Sequence, residues 1–416
     1  MLIELRTNQI PAILNRFTAL IGRSHWEDRV NLINSEIKGN GLLKPYLLQE
    51  NSVAFGLHKY SKLAKLYEHS SIPDAELEPL YEHIGFAAQI LSLATQSSEQ
   101  QKKVLIRRVQ GALKNPDDMR ALLFELDAAA HFLKLGLTLC RPEVTGEGTM
   151  DLIVEGIDLP SVEIECKSIS EDKGRKIHRR DAIEFFHLLS PELNQLGKGL
   201  KSGLVVTLSL EERLPIEPLD RCELAQSVIK SVLAGNKFQQ LNKARLHIND
   251  FDVAKLGNAG ATTSELNIDE ISQTHNNYAI VLARDGGGAI VFILKSSQDD
   301  STLKAVFKTL SKSASKQLSK KRAGLFLVQL EGIDRQSLTE LAKQQSTSRE
   351  TATQLQIFTN DFLASSGRDH VIGVIFLSRG AFESNTPDLF SKTGASYMFS
   401  NKRSPYWHSD FAGLFS

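Results

Sequence analysis

The residues with the clearest capacity for chemistry lie in Val162-Glu163-Ile164-Glu165-Cys166-Lys167-Ser168. Read as a strand, this stretch puts Val162, Ile164 and Cys166 on one face and Glu163, Glu165 and Lys167 on the other. Asp151 opens the preceding strand-like run, MDLIVEG, and a short connection makes the two runs a hairpin, which brings Asp151 near Glu165. Two hard carboxylates at this spacing suit Mg²⁺, with Mn²⁺ as a substitute and water filling the remaining octahedral positions. A lysine beside them can hold or help deprotonate an attacking water, while the ion stabilises charge on a phosphate and on its leaving oxygen. The alternative is a solvated strand face on which Glu165 and Lys167 merely pair. Glu163 could add to the metal site, but it reads rather as solvated or lysine-paired, and Glu155 as exposed.

A fourth residue joins the group from an upstream helix. Asn115-Pro116-Asp117-Asp118 is a helix start, with proline just inside it and acids in the first turn. In the helix that follows, Leu122, Leu126, Ala129 and Phe132 form an apolar stripe, and Glu125 lies within it while Asp127 points elsewhere. A glutamate turned toward a core is costly unless it is paired or coordinates a metal.

These residues must be positioned by a chain of 416 residues, long enough to expect two or three domains. Lys+Arg 49 balances Asp+Glu 49, which argues against a wholly basic coat but leaves room for a local basic groove. The three cysteines, Cys140, Cys166 and Cys222, form no CxxC pair, so neither a zinc knuckle nor a disulfide framework is indicated, and a reducing, cytoplasmic setting is expected. The first residues carry an acid at Glu4 and no long apolar core, unlike a secretory signal, and no apolar run is long enough to cross a bilayer.

The expected class is α/β, in three parts. Residues 1-105 read as a helical N-terminal domain. Residues 106-215 run helix, strand, strand, strand, helix, strand, the last two being a helix from about Arg179 to Leu200 and the strand LVVTLSL. Residues 216-416 form a C-terminal α/β domain. It contains a helix around Cys222 to Leu233, the strand KARLHIND and a polar linker around Asn258 to Asn277. Then come the hairpin YAIVLAR–DGGG–AIVFILK, a lysine-rich helix from Leu303 to Lys321, and the strands GLFLVQL and VIGVIFLS. MDLIVEGIDLPSVEIECKS aligns without gaps on YAIVLARDGGGAIVFILKS, setting Lys167 on Lys295 but Asp151 on Ala279 and Glu165 on Ile293. The third part could therefore be a degenerate second copy of the core, although two hairpin–helix–strand units look alike whenever their apolar patterns do.

Taken together, the arrangement resembles the PD-(D/E)XK, or restriction-endonuclease-like, nuclease superfamily. Its core is helix, three strands, helix, strand, with a Glu on the first helix, an Asp starting one strand and (D/E)xK on the next. Carried over by motif, these match Glu125, Asp151 and Glu165-Cys166-Lys167. Met150 stands where the superfamily's name has proline. The resemblance spans roughly Asp117 to Leu210. It implies a Mg²⁺-dependent endonuclease in which Asp151, Glu165 and Glu125 bind metal and Lys167 aligns the water. It also implies DNA in preference to RNA and assembly as a homo-oligomer. VEIECKS is similar to the version in restriction enzymes that cut foreign or modified DNA, which implies prokaryotic defence.

The stretch after the motif, KSISEDKGRKIHRR, supplies Lys173, Arg175, Lys176, Arg179 and Arg180, a cluster able to attract the phosphates that carboxylates repel. Lysines 312, 316, 320 and 321 form a basic helix face that could bind DNA or be an ordinary exposed surface. No Walker A, HExxH or GxSxG motif is present, and DGGG is a hairpin turn rather than a dinucleotide fingerprint. The rival expectation is a catalytically silent nucleic-acid-binding or scaffold protein with the same fold.

Overall fold

The computed structural model describes residues 7–67, 72–146, 148–156, 159–253, 278–282, 288–332, 338–339, 352–378 and 396–415. The Asn258–Asn277 linker and all but the last glycine of the DGGG turn lie outside these residues. The protein is a mixed α/β chain with two mixed sheets, and among the described residues no helix is long and apolar enough to cross a membrane.

By its contacts the chain divides into two compact units: residues 1–34, 48–173 and 303–416, and residues 35–47 with 174–302. These run across the sequence-based divisions at 105 and 215. The second unit is an insertion whose two ends are tied together. The Ser301 N–H donates to the Gly174 carbonyl at 2.9 Å, and Gly174, at φ +79°, has the Ser301 backbone 2.8 Å from where a Cβ would stand.

The N-terminal helices α1 (Ile10–Ile21), α2 (Ser24–Gly39), α3 (Lys44–Glu50), α4 (Ser52–Leu66), α5 (Asp74–Leu77), α6 (Tyr81–Gln96) and α7 (Glu99–Ala112) lead to α8 (Pro116–Lys134), all in the first unit except residues 35–47. Their main cluster is centred on Phe17, Trp26 and Phe86. Helix α8 starts as its sequence demands: Pro116 is in the first turn, and the Asn115 side chain accepts from the Asp117 N–H at 3.0 Å. It serves two cores. Leu122 and Leu126 join the helical cluster, whereas Phe124, Ala128, Ala129 and Phe132 pack on a sheet.

That sheet contains β1 (Thr138–Cys140), β2 (Leu152–Glu155) and β3 (Val162–Ile169). Strand β1 stops early because Pro142 opens the short helix α9 (Pro142–Thr145). The remaining elements in chain order are α10 (Arg179–Gly199), β4 (Gly203–Leu210), α11 (Pro218–Leu233), β5 (Phe238–Leu241), β6 (Ala244–Phe251), β7 (Tyr278–Leu282), β8 (Ile290–Ser296), α12 (Thr302–Lys316), β9 (Ala323–Leu330), α13 (Gln354–Ala364), β10 (Val371–Leu377) and β11 (Ser396–Ser400).

Strand order corrects the expected core. LVVTLSL, within β4, does not pair with β3. The first unit's sheet is β1-β2-β3-β9-β10-β11 and the second unit's is β5-β6-β4-β8-β7. The parallel neighbour of β3 is β9, paired along its whole length from Val162↔Ala323 to Ile169↔Leu330. The physical reason lies in burial on both faces. Strand β3 is sandwiched between α8 on one side and α12 on the other, so its neighbour must be apolar on both faces. Strand β9 is buried at nearly every position, whereas β4 alternates buried with partly exposed residues, as suits the side of the second sheet that carries β6. Likewise the β7–β8 hairpin, antiparallel as expected, takes β4 as its parallel neighbour. Each hairpin thus pairs with the strand that the sequence assigned to the other.

A fragment spanning 106–215 therefore lacks the partner of its central strand. Produced alone, it is expected to show no cooperative urea transition, whereas the full chain does. A sharp transition from the fragment would mean that β3 can take β4 as its neighbour.

Candidate functional site

The sheet positions Asp151, Glu165 and Lys167 as the hairpin reading requires. The pair Leu152↔Ile164 sets Asp151 opposite Glu165. Asp151 is tied to β3 by its Oδ2, which accepts from the Cys166 N–H at 2.8 Å. The face carrying Glu163, Glu165 and Lys167 is not solvated: both glutamates are 0% exposed. The expectation for Glu163 is corrected accordingly. Its carboxylate accepts from the Ser319 N–H at 2.7 Å and from the Ser319 hydroxyl, and Arg322 approaches to 3.5 Å. It clamps the turn between α12 and β9 onto β3. Glu155 is exposed, as expected.

Glu165 lies against the Lys167 ammonium, yet among the described residues neither of its oxygens accepts a hydrogen bond of sound geometry. Leaving a buried carboxylate without donors is costly, and the cost appears as a shifted pKa. Burial, then Asp151, push the Glu165 carboxyl from 4.5 up to about 8 against the pull of Lys167, with Glu125 adding to the rise. For Lys167, burial acts downward but Glu165 and Asp151 outweigh it, so its net shift is upward. The ammonium keeps its charge and the carboxyl is the group that titrates.

Glu125 is buried, as its stripe position requires, and it is paired: Arg108 of α7 contacts its carboxylate. Its helix packs on the Val162, Ile164 and Cys166 face of β3, opposite the face that carries Glu165. A second guanidinium, Arg141, lies in the same neighbourhood. Burial lowers its pKa while Glu125 and Asp151 oppose the shift, and its Nη2 has no hydrogen-bond partner among the described residues. Neither arginine was identified from the sequence.

Among the described residues no group of three or more His, Cys, Asp or Glu side chains is arranged to hold a metal ion. The described residues supply a pair, Asp151 and Glu165, rather than a triad including Glu125. That pair fits a hard divalent cation through its donor chemistry, carboxylate oxygens alone, and through the two Glu165 oxygens, which among the described residues make no hydrogen bond of sound geometry.

The predicted basic cluster is divided. Lys173 stays with the first unit and lines, with Lys167, a cavity of about 610 Å³. Arg175, Lys176, Arg179 and Arg180 belong to the second unit. There Arg180 pairs with Glu36 and Glu184, Arg179 sits 5.6 Å from the Tyr46 ring centroid, and the Lys176 N–H donates to Asp300 at 2.9 Å. The rest of the cavity wall comes from α12 and the turn after it, with Lys308, Lys312 and Lys316. The i+4 spacing of Lys312, Lys316 and Lys320 signals a basic helix face from sequence, and Lys308 extends it by one step. The sequence does not tell which strand that face overlies.

Compared with models of protein families, with curated proteins and with solved structures, the chain matches none.

The Glu165 shift has a consequence for stability. A carboxyl whose folded pKa is raised holds its proton more tightly when folded. That stabilisation is full below its unfolded value, declines as pH rises through the window between 4.5 and about 8, and is gone above it. In chelator-treated protein, Glu165→Gln is expected to flatten this decline, leaving the variant more stable than wild type at pH 8 by on the order of a few kcal/mol. Parallel urea-stability profiles for the two proteins from pH 5 to pH 8 would mean that Glu165 is ionised throughout.

Proposed function

We propose that this chain is a metal-dependent nuclease that hydrolyses phosphodiester bonds, DNA in preference to RNA, using Asp151, Glu165 and Lys167. The observation that carries this reading is the Glu165 carboxylate: fully buried, facing Asp151, with the Lys167 ammonium against it and, among the described residues, no hydrogen bond of sound geometry. Nothing in the packing of the strand calls for such a group, and a cation would remove its cost. Strand order lends further support. With α12 and β9 replacing α10 and β4, and the one-turn helix α9 set aside, the first unit runs α8, β1, β2, β3, α12, β9. This is the helix, three strands, helix, strand order of the restriction-endonuclease-like core, interrupted by the inserted unit.

In this reading Asp151 and Glu165 would hold Mg²⁺ or Mn²⁺. A bound ion would supply charge neutralisation at the phosphate and a more acidic water. The chain's own contribution is positional. The Cys166 N–H fixes the Asp151 carboxylate, and the hairpin holds Glu165 opposite it. The Lys167 ammonium donates to an attacking water and orients it toward phosphorus. Because these groups sit in a poorly solvated sheet interior, their charges act with little screening. Glu125, neutralised by Arg108, contributes to the local field and supports the site without touching the substrate. The setting that the VEIECKS resemblance suggests is defence against foreign DNA in a prokaryotic cell. A homo-oligomer would present two such centres to the two strands of a duplex.

Two observations favour a second reading. The pairing of Glu125 with Arg108, and the lack of a three-ligand group among the described residues, fit a nuclease-like protein that binds nucleic acid without cutting it.

Cleavage of supercoiled plasmid and of single-stranded DNA with Mg²⁺ or Mn²⁺ separates the two. Wild type is expected to cut. Lys167→Ala and Asp151→Ala are each expected to lower the rate by about 100-fold or more, and Glu125→Gln by less. Wild-type protein that binds DNA but cuts none in either metal would establish the silent reading instead.

A further inference from the structure

The cavity beside Lys167 has a composition that the catalytic centre does not require. Five lysines line it: Lys167 and Lys173 on the β3 side, and Lys308, Lys312 and Lys316 on α12. The remaining lining residues are Ala305, Thr309, Ser313 and Gln317, and of the five ammonium groups Lys167 has a carboxylate against it, that of Glu165. Among the described residues no ion pair engages Lys173, Lys308, Lys312 or Lys316. An unbalanced cluster of this size repels itself and lowers stability unless an anion completes it.

Its placement is fixed rather than incidental. Helix α12 buries Val306, Phe307 and Leu310 against Phe326 and Val328 of β9, which pair with Glu165 and Lys167 in the sheet. The α12–β9 turn is then pinned to β3 through Ser319 and Glu163. The lysine row therefore cannot slide relative to the carboxylate pair. Along the helix, Lys308, Lys312 and Lys316 succeed one another every four residues, a rise of about 6 Å. That step is comparable to the distance between successive phosphates of one nucleic-acid strand.

We propose that this five-lysine cavity is a channel for the phosphodiester backbone of a single nucleic-acid strand, leading it past Lys167 to the Asp151–Glu165 pair. The proposal rests on the nuclease reading for what happens at the end of the channel, but binding in the channel needs neither metal nor cleavage. A strand backbone is favoured over a compact anion because the charges are drawn out in a row. The cavity of about 610 Å³ is too small to enclose a duplex and is of a size to admit part of one strand.

The test is equilibrium binding of a fluorescein-labelled oligonucleotide, single-stranded or duplex, to the full chain in EDTA across a salt series. The comparison is wild type against the triple variant Lys308→Ala, Lys312→Ala, Lys316→Ala. Alanine on an exposed helix face preserves the helix, and thermal unfolding checks that the variant is folded. A second triple variant, Lys62→Ala, Lys65→Ala, Lys103→Ala, removes the same charge elsewhere in the first unit.

Wild type is expected to bind single-stranded oligonucleotide more tightly than duplex. The α12 variant is expected to lose at least tenfold in affinity, and its log K against log salt slope to become shallower by about two. The control variant should keep the wild-type slope. Equal slopes and affinities for the α12 variant and wild type would overturn the channel, whether or not wild type cuts DNA. So would binding in which inorganic tripolyphosphate displaces the oligonucleotide at matched phosphate concentration, because the cavity would then be a compact-anion site. Loss of binding in the α12 variant together with no cleavage by wild type would keep the channel and reject the nuclease.

Discussion

The pairing of β3 with β9 is the constraint on which the rest of the first unit depends. A strand bearing Glu163, Glu165 and Lys167 on one face is poorly suited to the middle of a sheet. It becomes viable because its other face, Val162, Ile164 and Cys166, packs with α8, and because β9 supplies a neighbour that is apolar from Ala323 to Val328, opposite Val162 to Lys167. Once β9 is in place, α12 must cover the charged face, since it leads into that strand through a short turn. The buried Glu163 then holds that turn with both carboxylate oxygens. Backbone pairing, a carboxylate clamp and an apolar helix face together determine what stands over the catalytic candidates.

The energetics of Asp151, Glu163 and Glu165 differ instructively. Glu163 is as deeply buried as Glu165, but Ser319 and Arg322 satisfy it. Asp151 has a backbone donor in Cys166. Glu165 is buried with the Lys167 ammonium against it but, among the described residues, no hydrogen bond of sound geometry, and it carries the raised pKa. A sheet interior tolerates a satisfied carboxylate at modest cost, whereas an unsatisfied one marks a group kept for something other than stability. That contrast within a few residues of one strand carries more weight than the motif itself, because the motif would look the same on a solvated face.

The inserted unit changes how such a chain should be divided. Because residues 174–302 leave and rejoin the first unit at adjacent points, the elements nearest to β3 in sequence are not its neighbours in the sheet. The strongly basic stretch after the motif is divided the same way: Lys173 remains beside Lys167, while Arg179 and Arg180 are engaged within the second unit.

Local physics made much of this legible in the sequence. The cap and proline of α8, the β2–β3 and β7–β8 hairpins, the burial of Glu125 and the shared face of Glu165 and Lys167 all follow from propensity, periodicity and turn chemistry acting over a few residues. What the sequence could not decide was which apolar strand completes the sheet. LVVTLSL and GLFLVQL each follow a helix and a basic turn, so both satisfy the local pattern. Only the tertiary structure chose between them, because that choice depends on burying both faces of β3 at once. The same choice set α12, rather than α10, over the site and brought Lys308, Lys312 and Lys316 to Lys167. It also gave Glu125 its partner Arg108, since an ion pair between two helices depends on how they cross and leaves no periodic trace in either.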